Sequence, residues 1–440
     1  MEIMKKCHKL QKGVVLGLLM TGLFLLPVGC DRLFPPKGVT VGGVTYDVST
    51  TDFVVSRSDF DDYEGLRQLE DLRLLDLSAL DLTTDAYDAI AAKVEQNVKI
   101  IWNVPLGEKK FLNTETALQL SPDDLTEIAK LTGYFPALSE ISVEEDCPVS
   151  EETAAAVKLL YDTAPDLSVG LHTQVYGVQV DSSMDKLTLS NIAIQDLAPL
   201  RLVIDMFPNI KTYEMCECGL ADDVMGGLRE AYPDLTFTWV VHFGRFRVRT
   251  DAQVFSTLEY EVAREYNERT FSPLFKYCTE LRALDVGHHS LVDISEMANL
   301  KKLQVLILTD NFVEDISPLS ELPDLYFLEI ENNQVKDASP LVQNQNLEDV
   351  CLMFNHGMKN ASTVAQLPRL KMLYISYCGV TGSEIRKIQE TMPKDCVLNT
   401  TDQVLASGWR WGEKGPAIRK AFANWRKVRE YRHWDDVVYD

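Results

Sequence analysis

The sequence predicts an α/β solenoid, in which short parallel strands from successive coils form one curved sheet and helices and turns lie on its convex side. Three observations predict this fold. Apolar segments of one pattern recur every 22 or 23 residues in the second half of the chain, a polar residue follows each predicted strand, and a longer helix-bearing unit recurs in the first half. A single coil cannot bury its own apolar face, so each coil needs neighbours on both sides.

The shorter repeat occurs in five segments. They begin 22, 22, 22 and 23 residues apart, at Leu281, Leu303, Leu325, Leu347 and Leu370. Alternate residues of each short strand should point into the stack. Asn311, Asn333 and Asn355 follow the strands and are expected to bond the backbone at the bend, with Cys378 as a weaker substitute. This period is typical of a leucine-rich-repeat solenoid.

Residues 43–246 are predicted to be three copies of a longer unit. Each copy has a short coil, a helix-bearing coil, a strand and a turn glycine. In the middle copy, Ala154, Val157 and Leu160 lie at helical spacing after the acidic Glu151. The predicted strands are 99–104, 167–171 and 235–239. The turn glycines lie 64, 70 and 67 residues apart, at Gly43, Gly107, Gly177 and Gly244.

These motifs resemble those of leucine-rich-repeat proteins of bacterial cell surfaces. The coils at residues 303–345, with Asp-Ile-Ser-Pro-Leu at residues 315–319, are similar to internalin repeats. The longer units, with Pro-Asp-Leu-x-Phe-x-Trp at residues 233–239, resemble lipoprotein-type repeat proteins of Gram-positive bacteria. The resemblance covers residues 43–400 and implies the fold. It implies little about the partner, because this fold is a scaffold for many partners.

The N-terminus is predicted to be an export signal, residues 1–29. Four lysines precede an apolar run of 15 residues, Val14 to Val28, which is too short for a typical membrane span. Val28-Gly29-Cys30 resembles the cleavage box of bacterial lipoproteins. That resemblance implies lipidation at Cys30 and a place on the outer face of the cell membrane. The alternative is an ordinary cleaved signal peptide and a secreted protein.

The remaining segments complete the predicted organisation. Residues 30–42 are expected to be a linker, and 247–280 a connection to the internalin-like repeats of 281–402. Residues 403–440 interleave tryptophans with eight Lys or Arg, and Pro416 is well placed to start a helix that reaches Trp434. We expect a basic aromatic cap on the open edge of the last coil. The same helix could also contact anionic wall polymers or lipid headgroups.

Charge excludes two classes of ligand for the repeat array. The net charge of −23 conceals a body of −29 in residues 30–402, between termini of +3 each. Such a body repels nucleic acid and anionic membranes. Membrane contact is therefore expected only through the anchor at Cys30.

The sequence favours no catalytic, metal or cofactor site. It contains no nucleophile elbow, phosphate loop or zinc-binding His-Glu-x-x-His motif. His288 and His289 lie near acidic residues, and a solvated bend is favoured over a metal or acid–base cluster. Cys216-x-Cys218 lacks a second pair, so buried thiols are favoured over zinc ligands. We expect no enzyme and no cofactor.

The predicted function is a non-enzymatic protein-binding or adhesion module of the bacterial cell envelope that uses the concave face of the sheet. The partner would be a protein or a cell-surface polymer. Outward residues become apolar and aromatic over the last coils, which is typical of an interaction site. The expected binding residues are Ile307, Phe327, Glu329, Glu331, Met353, Phe354, Met372, Tyr374 and Tyr377. The alternatives are a structural envelope protein without a specific ligand, and an accessory protein or hydrolase acting on surface polymers.

Overall fold

The computed structural model describes residues 38–401 except 58, 59, 61, 96, 245 and 258–270, together with residues 422, 438 and 439. The chain divides into two compact units, Met1–Asn113 and Thr114–Asp440. The predicted export signal and Cys30 lie outside the described residues. Within the described part of the chain, no helix is both long and apolar enough to cross a membrane.

The first unit contains two antiparallel hairpins and one parallel sheet. Its strands are β1 (Gly38–Val41), β2 (Val44–Asp47), β3 (Asp52–Val54), β4 (Leu74–Asp76), β5 (Lys99–Ile101), β6 (Asn103–Leu106) and β7 (Lys109–Leu112). Its helices are α1 (Tyr63–Leu66) and α2 (Thr84–Ala91). Strands β1 and β2 form one hairpin, β6 and β7 the other, and β3, β4 and β5 pair in parallel. The predicted linker 30–42 therefore contains β1.

The second unit holds the other strands and helices. Its strands are β8 (Ala117–Leu120), β9 (Glu140–Val143), β10 (Ser168–Gly170), β11 (His172–Val175), β12 (Val178–Asp181), β13 (Lys186–Thr188), β14 (Thr212–Glu214), β15 (Thr236–Thr238), β16 (Val240–Phe243), β17 (Phe246–Arg249), β18 (Val254–Ser256), β19 (Ala283–Asp285), β20 (Val305–Ile307), β21 (Phe327–Glu329), β22 (Asp349–Cys351), β23 (Met372–Tyr374), β24 (Val397–Asn399) and β25 (Val438–Tyr439). Its α-helices are α3 (Leu125–Leu131), α4 (Glu151–Thr163), α5 (Ala198–Met206), α6 (Asp222–Ala231), α7 (Ala361–Val364) and α8 (Gly382–Thr391). Short 3-10 helices occupy Pro122–Asp124, Thr132–Tyr134, Ser272–Tyr277, Ser295–Asn299, Ser317–Glu321 and Ser339–Gln343.

Parallel pairing dominates the sheets of this unit. Strands β8, β9 and β10 form one three-stranded parallel sheet, and β13, β14 and β15 form another. Two antiparallel hairpins, β11–β12 and β16–β17, follow these sheets. Strands β18 to β24 then form a seven-stranded parallel sheet in sequence order. Parallel strands joined coil by coil are the arrangement predicted from the repeats.

A hairpin followed by three parallel strands occurs three times along residues 38–239. Each predicted turn glycine lies at a hairpin turn with a left-handed backbone; φ is +80° at Gly43, +58° at Gly107, +81° at Gly177 and +59° at Gly244. Only glycine adopts this conformation without a steric cost. The sequence did not indicate the hairpins themselves, since the predicted strand 99–104 is split between β5 and β6.

The helix predicted from Ala154, Val157 and Leu160 is confirmed as α4. All three side chains are buried on one face. The hydroxyl of Ser150 accepts a hydrogen bond from the Thr153 backbone N–H at 3.1 Å, which caps the helix N-terminus. The local pattern was sufficient here because both the cap and the apolar stripe lie within 14 residues.

The seven-stranded sheet begins one strand earlier than predicted. Strand β18 lies inside the segment 247–280 and pairs in parallel with β19, so that Phe255 aligns with Leu284. Both side chains are fully buried in the core. A phenylalanine in place of leucine, and a coil longer than 22 residues, interrupt the period at this point.

The asparagines after the strands bond the bends as predicted. Asn333 Nδ2 donates to the carbonyl of Leu308 at 2.9 Å, and its Oδ1 accepts from Val313 N at 2.9 Å. Asn311 and Asn355 bond neighbouring coils in the same way. The Cys378 thiol lies 2.9 Å from the Leu352 carbonyl, which confirms it as the smaller substitute.

Candidate functional site

The candidate site is one face of the seven-stranded sheet, termed here the outer face. It is formed by the first and third residues of each strand, because the middle residue points into the core. The first residues, in register, are Val254, Ala283, Val305, Phe327, Asp349, Met372 and Val397. The third residues are Ser256, Asp285, Ile307, Glu329, Cys351, Tyr374 and Asn399.

The structure divides the predicted binding residues into a buried and an accessible set. The buried set is Ile307, Phe327, Glu329 and Met353. Glu331, Phe354, Met372 and Tyr374 are half-buried, and Tyr377 is 41% exposed. In this conformation only the second set is open to a partner. Sequence alternation placed the side chains on the face but could not indicate what covers it.

An apolar cluster explains the burial over β18 to β21. Val254, Ala283, Val305, Ile307 and Phe327 form one buried cluster on the outer face. Phe422, from the C-terminal segment 403–440, packs against this cluster, as does Tyr326. The cluster is therefore a second core on the side of the sheet that was expected to face solvent.

The last described residues of the chain also lie at the start of this sheet. Strand β25 pairs in parallel with β17, with Arg247 opposite Val438 and Val248 opposite Tyr439. The cap was expected at the last coil, beside β24. Phe422 and β25 instead contact β18–β21 and β17, and the rest of the predicted helix from Pro416 to Trp434 lies outside the described residues.

Two carboxylates are buried on the outer face. Glu329 is 0% exposed and accepts a hydrogen bond from the Thr309 hydroxyl. Asp285 is also buried, and its Oδ1 accepts from Gly287 N at 3.3 Å. Burial, followed by the negative charge of Glu329, raises the pKa of the neighbouring Cys351 thiol. That thiol therefore stays protonated at neutral pH.

The accessible residues form a patch over β22 to β24, termed here the aromatic patch: Phe354, Met372, Tyr374 and Tyr377. The Phe354 and Tyr377 rings are stacked, with centroids 4.6 Å apart and planes 11° apart. The Tyr374 hydroxyl donates to the Met372 sulfur at 3.5 Å. Burial raises the pKa of Tyr374, so its hydroxyl stays protonated at neutral pH.

The same row of the solenoid changes from polar to aromatic along the sheet. His288, Asp310, Asn332, Phe354 and Tyr377 occupy equivalent positions after successive strands, and all have φ between +52° and +65°. His288 Nδ1 lies 2.8 Å from Asp310 Oδ2, and Asn332 Nδ2 donates to Asp310 Oδ1 at 2.6 Å. This left-handed row positions side chains at the edge of the outer face.

The expectation of a solvated bend is wrong for His289. Its side chain is buried, 5.5 Å from the Phe271 ring and 6.1 Å from the Phe246 ring, measured between centroids. The left-handed residue before it, His288, turns the chain so that His289 points inward. His288 remains partly exposed, as expected.

The cysteines behave as core residues. All seven cysteines in the described part of the chain are free and buried. Burial raises the pKa of both the Cys218 and Cys378 thiols to about 11, which keeps them protonated and weakly reactive. Where the structure describes the chain, no group of three His, Cys, Asp or Glu residues is placed to hold a metal ion.

Comparison with protein families identifies the repeats directly. Residues 301–343 match the profile of leucine-rich repeats in two copies. These residues run from the start of the coil that carries β20 to the 3-10 helix after β21. A comparison with curated proteins gave no match.

Three solved structures show similarity to this chain. An internalin from Listeria monocytogenes is 14% identical, with 77% of this chain and 70% of that chain covered and a TM-score of 0.24. A leucine-rich-repeat protein from Leptospira interrogans is 14% identical, with 76% and 91% covered and a TM-score of 0.27. An internalin C2 from Listeria monocytogenes is 18% identical, with 59% and 99% covered and a TM-score of 0.24.

The fold assignment rests on the matched repeats and on the register of the strands. Each strand from β18 to β24 pairs in parallel with the next coil, and the asparagines bond successive bends. The matched residues lie inside this sheet. The fold is therefore a leucine-rich-repeat solenoid.

Proposed function

We propose that this protein is a non-enzymatic binding module of the bacterial cell envelope, and that the aromatic patch is its partner site. The observation that carries the proposal is the stacked, partly exposed pair of Phe354 and Tyr377 on a sheet face. A solvated sheet face is normally polar, so a cluster of aromatic and sulfur-containing side chains there indicates an interaction site.

Rigidity of the scaffold supports a binding role. The backbone under the patch is held by the seven parallel strands and by the fully buried Asn355, which bonds the coils of β21 and β22. Aromatic side chains on a fixed backbone lose little conformational entropy when a partner packs against them. Leucine-rich repeats generally bind proteins through such surfaces.

The charge of the body narrows the class of partner. Residues 30–402 carry −29, which opposes binding of nucleic acid and anionic lipid. Glu331 lies half-buried in the coil before Phe354. A protein with an apolar contact surface and basic residues around it fits both features. A cell-surface polymer is the second candidate class, because aromatic rings also pack against sugar rings.

Export and a lipid anchor at Cys30 complete the proposal. They are supported by the basic start, the short apolar run and the Gly29-Cys30 pair. An anchored module would present its repeats outside the membrane, and a secreted module would act in the medium. A purely structural envelope role, and a role as an accessory protein or hydrolase on surface polymers, are the competing functions.

The test uses the double variant Phe354→Ala with Tyr374→Ala. The partner is first identified by proximity labelling on intact cells and then purified. We expect its affinity to fall at least tenfold, about 1.4 kcal/mol, because two rings leave the contact. The melting temperature should stay unchanged, since both side chains are only half-buried.

Phe312→Ala is the matched control. Phe312 is an aromatic side chain 50% exposed outside the patch, so its loss should leave the affinity unchanged. Equal affinity of the double variant and the wild type would reject the patch as the partner site. The absence of any partner that is enriched over the control would favour the structural role.

A further inference from the structure

The outer face has a region that the aromatic patch does not explain. Over β18 to β21 the face is fully buried, although a single solvated sheet needs no second layer. The two rows of the outer face contain three acidic residues, Asp285, Glu329 and Asp349, and no Lys or Arg. Burying acidic groups is costly unless hydrogen bonds and opposite charge compensate. The region is therefore both apolar and acidic.

The C-terminal segment has the complementary composition. Residues 403–440 hold eight Lys or Arg against five Asp or Glu, together with four tryptophans. Phe422 packs on the buried cluster, and Val438–Tyr439 adds a strand to β17. These two contacts place one apolar anchor and one backbone anchor of the segment at the same part of the unit.

The length of the segment agrees with this placement. Thr401 follows β24, which is four strand spacings from β20, about 20 Å. The 21 residues from Thr401 to Phe422 span roughly 30 Å even as a continuous helix. The chain can therefore reach the cluster without strain in either a helical or an extended form.

We propose that the outer face over β18 to β21 is a recognition surface for a basic aromatic segment, and that the C-terminal segment 403–440 of the same chain is its occupant. Phe422 fills the apolar cluster, and the basic side chains of the segment balance Asp285 and Glu329. The chain thus carries its own ligand, and a basic aromatic peptide binds this region only when the segment leaves. This inference goes beyond the proposed function, since it concerns a different region and needs no external partner.

The first experiment measures hydrogen exchange on the full chain. Phe422→Ala removes the apolar anchor, so the β17 amides that face β25 should exchange at least tenfold faster than in the wild type. Phe312→Ala should leave exchange unchanged. Unaltered exchange of the β17 amides in Phe422→Ala would overturn the proposal.

The second experiment offers a labelled synthetic peptide of residues 403–440 to the full chain. The wild type should bind it at least tenfold more weakly than Phe422→Ala does, because its own segment occupies the face. The same peptide carrying Phe422→Ala should not bind to either protein. Equal binding to both proteins, or equal binding of a scrambled peptide, would overturn the proposal.

A third arm separates the segment's target. If the wild-type chain binds phosphatidylglycerol vesicles and Phe422→Ala abolishes that binding, the segment serves a lipid surface and the proposal is wrong. Failure of the partner-capture experiment on the aromatic patch would leave all three arms interpretable, because none of them uses that partner.

Discussion

At the bend after each strand of the seven-stranded sheet, one side chain satisfies the backbone of two coils. Asn333 donates to carbonyls of its own coil and the preceding one, and accepts from Val313 N. Three asparagines repeat this role at 22-residue intervals. Cysteine takes the place at positions 218 and 378, where the thiol makes one close contact with a carbonyl, 3.1 and 2.9 Å respectively. The sequence identified all five positions because the period defines them.

Asn333→Ala should destabilise the solenoid strongly. The change leaves the buried Val313 N–H and the Leu308 carbonyl without their partner, at about 1–3 kcal/mol for each unsatisfied group. We expect a loss of about 3 kcal/mol in the free energy of unfolding, measured by urea denaturation. Gln334→Ala, at the exposed neighbouring position, should change it by less than about 0.5 kcal/mol. Similar midpoints for the two variants would contradict the structural role of the asparagine.

At the scale of elements, glycines separate the hairpins from the helices. Gly177 lies at the turn between β11 and β12 with φ of +81°, whereas Gly227 lies inside α6 with ordinary helical geometry. A Cβ added at either position would meet no atom within 4 Å. Any difference between alanine variants at these positions must therefore come from the backbone.

Gly177→Ala and Gly227→Ala should have opposite effects. Alanine at position 177 must adopt the left-handed conformation, which costs about 1 kcal/mol. Alanine at position 227 removes a flexible residue from a helix interior and should stabilise by about 0.5–1 kcal/mol. Urea midpoints of the two variants measured side by side check the signs. Equal stability of Gly177→Ala and the wild type would show that the turn relaxes.

At the scale of the whole molecule, the predicted anchor decides where the repeats act. Cys30→Ala should release the protein to the medium or leave it unprocessed, because the thiol would be the acylation site. Partitioning between detergent and aqueous phases measures the change. Cys7→Ala, a cysteine change inside the predicted signal, is the control and should partition as the wild type. Unchanged partitioning of Cys30→Ala would exclude lipidation at this residue.

Local period made the fold predictable, and distance along the chain made the site only partly so. The 22-residue spacing indicated the strands β19 to β23, the asparagine bends and the turn glycines. It missed β18, where Phe255 replaces leucine, and the inward turn of His289. The covering of Ile307 and Phe327 depends on Phe422, roughly a hundred positions away, and no local pattern encodes such a contact.

The parallel pairing of β25 with β17 has a consequence for the order of folding. Each coil closes a loop of about 22 residues, whereas this pairing closes one of roughly 190, about three doublings longer and hence about 2 kcal/mol more costly in chain entropy. The coils can therefore order one after another while the last residues are still absent. Until those residues arrive, β17 keeps an unpaired strand edge, which is a template for association with other chains. A chain that lacks only its last three residues would keep that edge open permanently.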